Sequence, residues 1–168
     1  FGFMFNIKAK NILPNGAPEF WSSNIVHNGE IIFIGPGAKL RNLDLSGIVL
    51  TNANLTGADL SNSDLSDADI SKATLYNAKL VRCNLSNANL FFTDLRRADL
   101  TKANLNNADL TYTSWSFADL TRADLSDTDL SYSTLSYAKF YKTDLRNAIF
   151  NRANMDNTDL EDAITGEK

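Results

Sequence analysis

The chain has 168 residues, 16 of them basic and 20 acidic, for a net charge of −4, and 43% are hydrophobic. With a mean hydropathy of −0.23 and no apolar run near the roughly 18 residues that a spanning helix needs, a transmembrane helix is excluded, and the negative balance argues against general nucleic-acid affinity. One cysteine, Cys83, and one histidine, His27, are too few for a zinc-type site and allow no internal disulfide, which leans to a reducing, cytoplasmic compartment.

Residues 1–38 follow no repeat. Phe1 to Lys10 show no basic start followed by a long apolar stretch, so no secretory signal is read there. Pro14, Pro18 and Pro36 divide the segment into short pieces, and Asn28-Gly29 between Ile25-Val26 and Ile31-Ile32-Phe33-Ile34 predicts a two-residue β-hairpin. His27 flanks that turn and reads as a surface residue, not a general base. We expect an N-terminal β cap over 1–38, with Phe3, Phe5, Ile7, Trp21 and Phe33 covering the first inward leucines; a small binding module with Trp21 exposed is the alternative.

From Leu40 to Leu160 a large apolar residue stands at every fifth position, with a small one two residues before it, as in Ala53, Ala58, Cys83, Thr93 and Ala98. Five residues advance about 500° on an α-helix, so no apolar face would form. In a straight strand an odd period sends alternate leucines to opposite faces. The remaining solution is a short extended segment followed by a corner that restores the inward direction, so that the chain coils around its own side chains. Outward aromatics recur at Phe92, Tyr112 and Tyr132 and at Phe117 and Tyr137, basic residues at Arg82, Lys102, Arg122 and Lys142, and inward hydroxyls at Thr93, Thr113 and Ser133, always twenty residues apart. Twenty over five predicts four sides per coil.

The units Ala58-Asp59-Leu60, Ala88-Asn89-Leu90, Ala98-Asp99-Leu100, Ala108-Asp109-Leu110, Ala118-Asp119-Leu120 and Ala123-Asp124-Leu125 carry a resemblance. Over about 120 of the 168 residues the chain resembles the pentapeptide-repeat family, whose motif is A(D/N)LXX. The resemblance implies an all-β, right-handed quadrilateral parallel β-helix, here over 39–162 in about six coils, and the period excludes left-handed six-residue-repeat helices. At roughly 4.8 Å per coil the rod would be about 30 Å long.

The four sides differ. One carries Lys39, Asp59, Lys79, Asp99, Asp119, Lys139 and Asp159 before its leucines, with Arg82, Lys102, Arg122 and Lys142 placed to neutralise them; an exposed ionic network and an anion-binding stripe are its two readings. The next is acidic, with Asp44, Asp64, Asp124, Asp144, Asp67 and Asp127 against Arg146. Phe91, Phe92, Tyr112 and Tyr132 lie on a third and Phe117 and Tyr137 on a fourth, with Arg96 and Arg97 beside them, as a ladder that stiffens the coils or as a partner-binding patch. Trp115, inward in a column of leucines, is expected to overpack and distort its coil. The last coil holds Phe150, Met155 and Leu160, with Ile149 outward where the repeat places Asp or Asn; either these plug the bore or two chains meet end to end as a homodimer. Residues 163–168 read as a polar tail.

No catalytic, metal or cofactor site is read from these residues. The expected function is a non-enzymatic rod that binds or scaffolds a protein partner. Some members of the resembled family mimic DNA and bind DNA gyrase, a type II topoisomerase, which makes the acidic side the basis of an alternative. Those members tend to carry a C-terminal dimerisation element, whereas no amphipathic helix can be drawn in Ile164-Thr165-Gly166-Glu167-Lys168.

Overall fold

A computed structural model describes residues 23–27 and 30–166, so Phe3, Phe5, Ile7 and Trp21, expected in the cap, lie outside the described residues. Strands β1 (Ser23–His27) and β2 (Glu30–Ile34) pair antiparallel, from Ser23 opposite Ile34 to His27 opposite Glu30. This is the hairpin that Asn28-Gly29 predicts. Strand alternation then decides which β2 residues meet the core: Ile34 is fully buried and Ile32 packs against the core cluster, while Phe33 is 45% exposed. The expectation that Phe33 covers the first leucines is therefore corrected; it has the wrong parity.

Beyond β2 the backbone closes a corner every five residues. The pentad Ala98-Asp99-Leu100-Thr101-Lys102 shows how, and accounts for each of its five amides. The Ala98 amide donates to the Leu95 carbonyl (3.1 Å) and closes the preceding turn; the Asp99 amide donates to Ala78 (3.0 Å), and those of Leu100 and Lys102 donate to Asp119 (2.8 Å) and Thr121 (2.9 Å) on the neighbouring coil. The remaining amide, that of Thr101, donates to the Asp99 side chain at 3.0 Å. The repeat favours Asp or Asn at its second position because no backbone carbonyl reaches the fourth amide. The same bond recurs from Asp44 to Asp159 wherever an Asp or Asn oxygen is placed to accept it, for example Asp59 to Ser61 (3.1 Å) and Asp124 to Ser126 (2.9 Å).

The fifth residue of each pentad has positive φ, between 54° at Asn157 and 69° at Gly37, which with the bond from the next first position gives the geometry of a type II turn. Asn fits such a site and glycine fits it best. Phe92, Tyr112, Phe117, Tyr132 and Tyr137 also occupy it, at φ of 58° to 63°, where a side chain costs roughly 1–2 kcal/mol.

Parallel bridges join Lys39 to Asp59, Asp59 to Lys79 and so on to Asp144 with Ile164, always twenty residues apart. The fold is thus an all-β, right-handed quadrilateral β-helix. Its ladder runs to Ile164, so the first two residues of the stretch 163–168 belong to the last coil. The core is a single column of first-position small residues and third-position large ones, nearly all below a few per cent exposure from Ile34 to Leu145. Inward hydroxyls are satisfied by leucine and isoleucine carbonyls: Thr93 donates to Ile70 (2.9 Å), Thr143 to Leu120 (2.6 Å), and Ser63 to Leu40. Among the described residues no helix is long and apolar enough to cross a membrane.

Trp115 distorts its coil only slightly: the bond from the Thr113 amide to the Leu110 carbonyl, at the corner before it, is lengthened to 3.4 Å. It is fully buried, its amide donates to Thr134 (2.7 Å) and its carbonyl accepts from Ala118 (2.8 Å), as a leucine's would. Its indole Nε1 donates to the Thr113 hydroxyl (2.5 Å), which donates to the Leu110 carbonyl (2.5 Å). The indole is accommodated with its polar atom satisfied, because the residue two before it is a threonine whose hydroxyl accepts the indole N–H bond.

Candidate functional site

Side chains at the fifth position leave the corner outward, and the coil register brings residues twenty apart face to face. Tyr112 and Tyr132 stack with ring centroids 4.8 Å apart and planes 5° off parallel, and Phe117 and Tyr137 stack at 5.0 Å and 3° on the next corner. Phe91 extends the first column, meeting Tyr112 edge-on at 5.7 Å and Phe92 at 6.1 Å. Arg97 lies over Phe117 (5.8 Å), Arg152 over Tyr132 (5.6 Å), and Arg96 over Tyr76 (5.7 Å). All the aromatic residues singled out from sequence thus gather on two adjacent corners, with Phe92, Tyr112, Phe117, Tyr132 and Tyr137 44–61% exposed. The stacked rings cover one another's faces and present edges and hydroxyls outward. Stacking of bases or sugars on this ladder has little ring surface left to use.

Near these corners lies a trough of about 280 Å³ lined by Phe92, Asp94, Arg96, Tyr112, Ser114, Ser116 and Thr134 among others. Asp94 accepts a two-pronged pair of bonds from Arg96, at 2.8 and 2.7 Å, and this contact raises the Arg96 pKa. As site residues, Ser114, Ser116 and Thr134, together with Arg152, escaped the sequence reading. Two signals were present: Arg152 is twenty residues after Tyr132, and Ser114 and Thr134 stand where the repeat calls for Asp or Asn.

The two charged sides differ from expectation. Arg82, Lys102, Arg122 and Lys142 form a column of fifth-position corners, and among the described residues no ion pair within 4.0 Å joins them to Asp99 or Asp119, whose carboxylates accept from the Thr101 and Thr121 amides instead. Only Asp59 of that side gains a cation, Arg41 at 3.7 Å. Desolvation works against the Asp59 charge, yet bonds from the Ser61 hydroxyl and amide, with Arg41 and Lys79 nearby, hold its pKa below the usual value. On the acidic side the bond from Arg146 (2.6 Å) lowers the Asp144 pKa, Asn84 donates to Asp64 (3.0 Å), and Asn147 donates to Asp127 (2.9 Å).

The family model of pentapeptide repeats matches in eight copies, over residues 37–71, 68–107, 98–133 and 128–164. The chain belongs to the pentapeptide-repeat family. Among solved structures it is similar to a pentapeptide repeat protein of the Arabidopsis thaliana thylakoid lumen, at 28% identity and a TM-score of 0.50, over 60% of this chain and 67% of that one. It is also similar to HetL, a pentapeptide repeat protein involved in heterocyst differentiation regulation from the cyanobacterium Nostoc sp. strain PCC 7120 (30% identity, TM-score 0.33, 77% and 68% covered), and to QnrB1, a plasmid-mediated fluoroquinolone resistance protein (20% identity, TM-score 0.42, 74% and 69% covered). No protein of curated function matches it in sequence.

Cys83 sits inward at a first position, and burial, with Asp64 adding to it, pushes its thiol up to about 12, so it stays protonated at neutral pH. Among the described residues no group of three His, Cys, Asp or Glu side chains is placed to hold a metal ion.

Proposed function

We propose that the chain is a non-enzymatic rod that binds or scaffolds a protein partner through the two aromatic corners. The carrying observation is that five half-exposed rings stand at strained corners in two columns flanked by Arg97 and Arg152, and that two of them, Phe92 and Tyr112, line the trough. Stacking accounts for the ring faces; exposed edges, hydroxyls and guanidinium groups are what protein interfaces prefer. Capture from a lysate of the source, repeated with Phe92, Tyr112 and Tyr132 changed to serine, tests it. The serine variant should lose the captured partner while its far-UV circular dichroism is unchanged; equal capture would refute the reading.

The competing reading, DNA mimicry toward a type II topoisomerase, needs an unbroken acidic array. Asn84 and Asn104 interrupt the column of Asp64, Asp124 and Asp144, and those three carboxylates already accept bonds from the chain's own donors. The cytoplasmic placement expected from the single cysteine goes with the protein-binding reading.

We propose as well that the final coil meets a second copy end to end. Ile149 and Leu160 are 45% and 44% exposed there, and Phe150 and Met155 are only partly buried against the core. In sedimentation the chain should run as a dimer and the Ile149→Asp, Phe150→Leu variant as a monomer. A wild-type chain monomeric at high concentration contradicts this.

A further inference from the structure

Wherever an Asp or Asn oxygen is in place, the fourth amide of the pentad is closed from within the chain. On the side that carries the trough, Asp94 closes the Arg96 amide at 3.1 Å, but Ser114 and Thr134 replace the acceptor on the next two coils. Neither hydroxyl takes over, and among the described residues the amides of Ser116 and Ser136 find no acceptor. Elsewhere among the described residues the missing acceptor is confined to one coil at a time, as at Thr74, whose neighbour Asp94 is intact. Here two vacancies are stacked.

Coils in hydrogen-bonded register stand roughly 4.8 Å apart, so the two amides present a pair of donors that the two oxygens of one carboxylate can bridge. The Ser114, Ser116 and Thr134 hydroxyls add donors that have no partner among the described residues. Tyr112, stacked on Tyr132, lines the trough together with Ser114 and Ser116, and an apolar ring edge beside a charge-assisted bond strengthens it. Arg97 and Arg152 stand at opposite ends of the two ring columns, and the lining carboxylate, Asp94, is already neutralised by Arg96. The site is therefore complementary to a negative ligand although the chain as a whole is acidic.

We propose that Ser116 and Ser136 form a seat for an Asp or Glu side chain presented by an extended acidic segment of the protein partner. The incoming carboxylate does what the chain's own Asp does in the other pentads. This rests on the protein-binding reading and names the chemistry of the partner. The test is a titration of the isotopically labelled chain with a blocked peptide, acetyl-Gly-Glu-Gly-Glu-Gly-amide, followed by amide nuclear magnetic resonance. The Ser116 and Ser136 amide protons should move downfield and saturate. The glutamine counterpart should bind at least about tenfold more weakly, about 1.4 kcal/mol, and inorganic phosphate more weakly than the peptide.

The Ser114→Asp, Thr134→Asp variant restores the repeat's own acceptor and so keeps the fold; it should respond to the peptide at least about tenfold less. Motionless amides, an equal response to the glutamine peptide or to phosphate, or undiminished binding by the variant would each overturn the seat. Lysate capture that depends on the aromatic residues while these amides stay silent overturns the seat and leaves the docking face. Capture that survives the aromatic substitutions while the amides shift overturns the docking face and supports the seat.

Discussion

Changing Trp115 to alanine should lower the unfolding free energy by about 3–5 kcal/mol, the usual range for emptying an aromatic site in a packed core. The site is fully buried, and each coil touches only the coils on either side, so no distant rearrangement can refill it. Leucine, the residue that the repeat would supply, discriminates more sharply. If the indole were overpacked, Trp115→Leu would stabilise the rod by about 1–3 kcal/mol. The regular ladder bonds at Trp115 and the relay from its Nε1 through Thr113 to the Leu110 carbonyl imply the opposite sign, a loss of about 1 kcal/mol or more from the cavity alone. Urea denaturation of both variants decides it.

A second large effect is expected at Leu100, fully buried near the middle of the core column. Leu100→Asp places a carboxylate among the stacked leucines of the bore, where no cation is buried with it, and an unpaired buried charge is far costlier than a lost methyl group. In a quasi-one-dimensional array a break at one coil uncouples the two sides. The variant should therefore unfold in two separated transitions, or be unfolded at its centre already, where the wild type shows one. A single transition at the wild-type temperature would contradict the continuous core.

How much of this was legible in the residues varies with the kind of constraint. The period of five and the twenty-residue columns were legible because burial is periodic: every third-position side chain must reach the same bore, and no helix or flat strand allows that. Phe33 was misplaced because a run of four apolar residues does not reveal which parity faces the core, and the ladder set it outward. At Trp115 size was weighed against the leucines stacked with it, while the acceptor for its indole came from Thr113, two residues before it, and the strain shows only in one lengthened turn bond. The charged side was misjudged more instructively. Asp99 and Asp119 look like partners for Lys102 and Arg122, but each is held by the backbone amide two residues on, and ordering a long, solvated side chain at an outward corner costs entropy that an exposed ion pair does not return. Once the aspartates are understood as backbone acceptors, Ser114 and Thr134 change from unremarkable polar residues into missing ones. The aromatic columns were legible as spacings, but their placement at positive φ was not, since Phe and Tyr are poor residues for such a corner.

That backbone role of the second-position side chain underlies the corners, the distribution of charge and the open seat alike, and amide hydrogen exchange under native conditions tests it most directly. Thr101, Thr121 and Ser126, whose amides donate to Asp99, Asp119 and Asp124 at 3.0, 3.0 and 2.9 Å, should exchange slowly, and Ser116 and Ser136 in the same rod should exchange fast. Equal protection at all five amides would contradict the account.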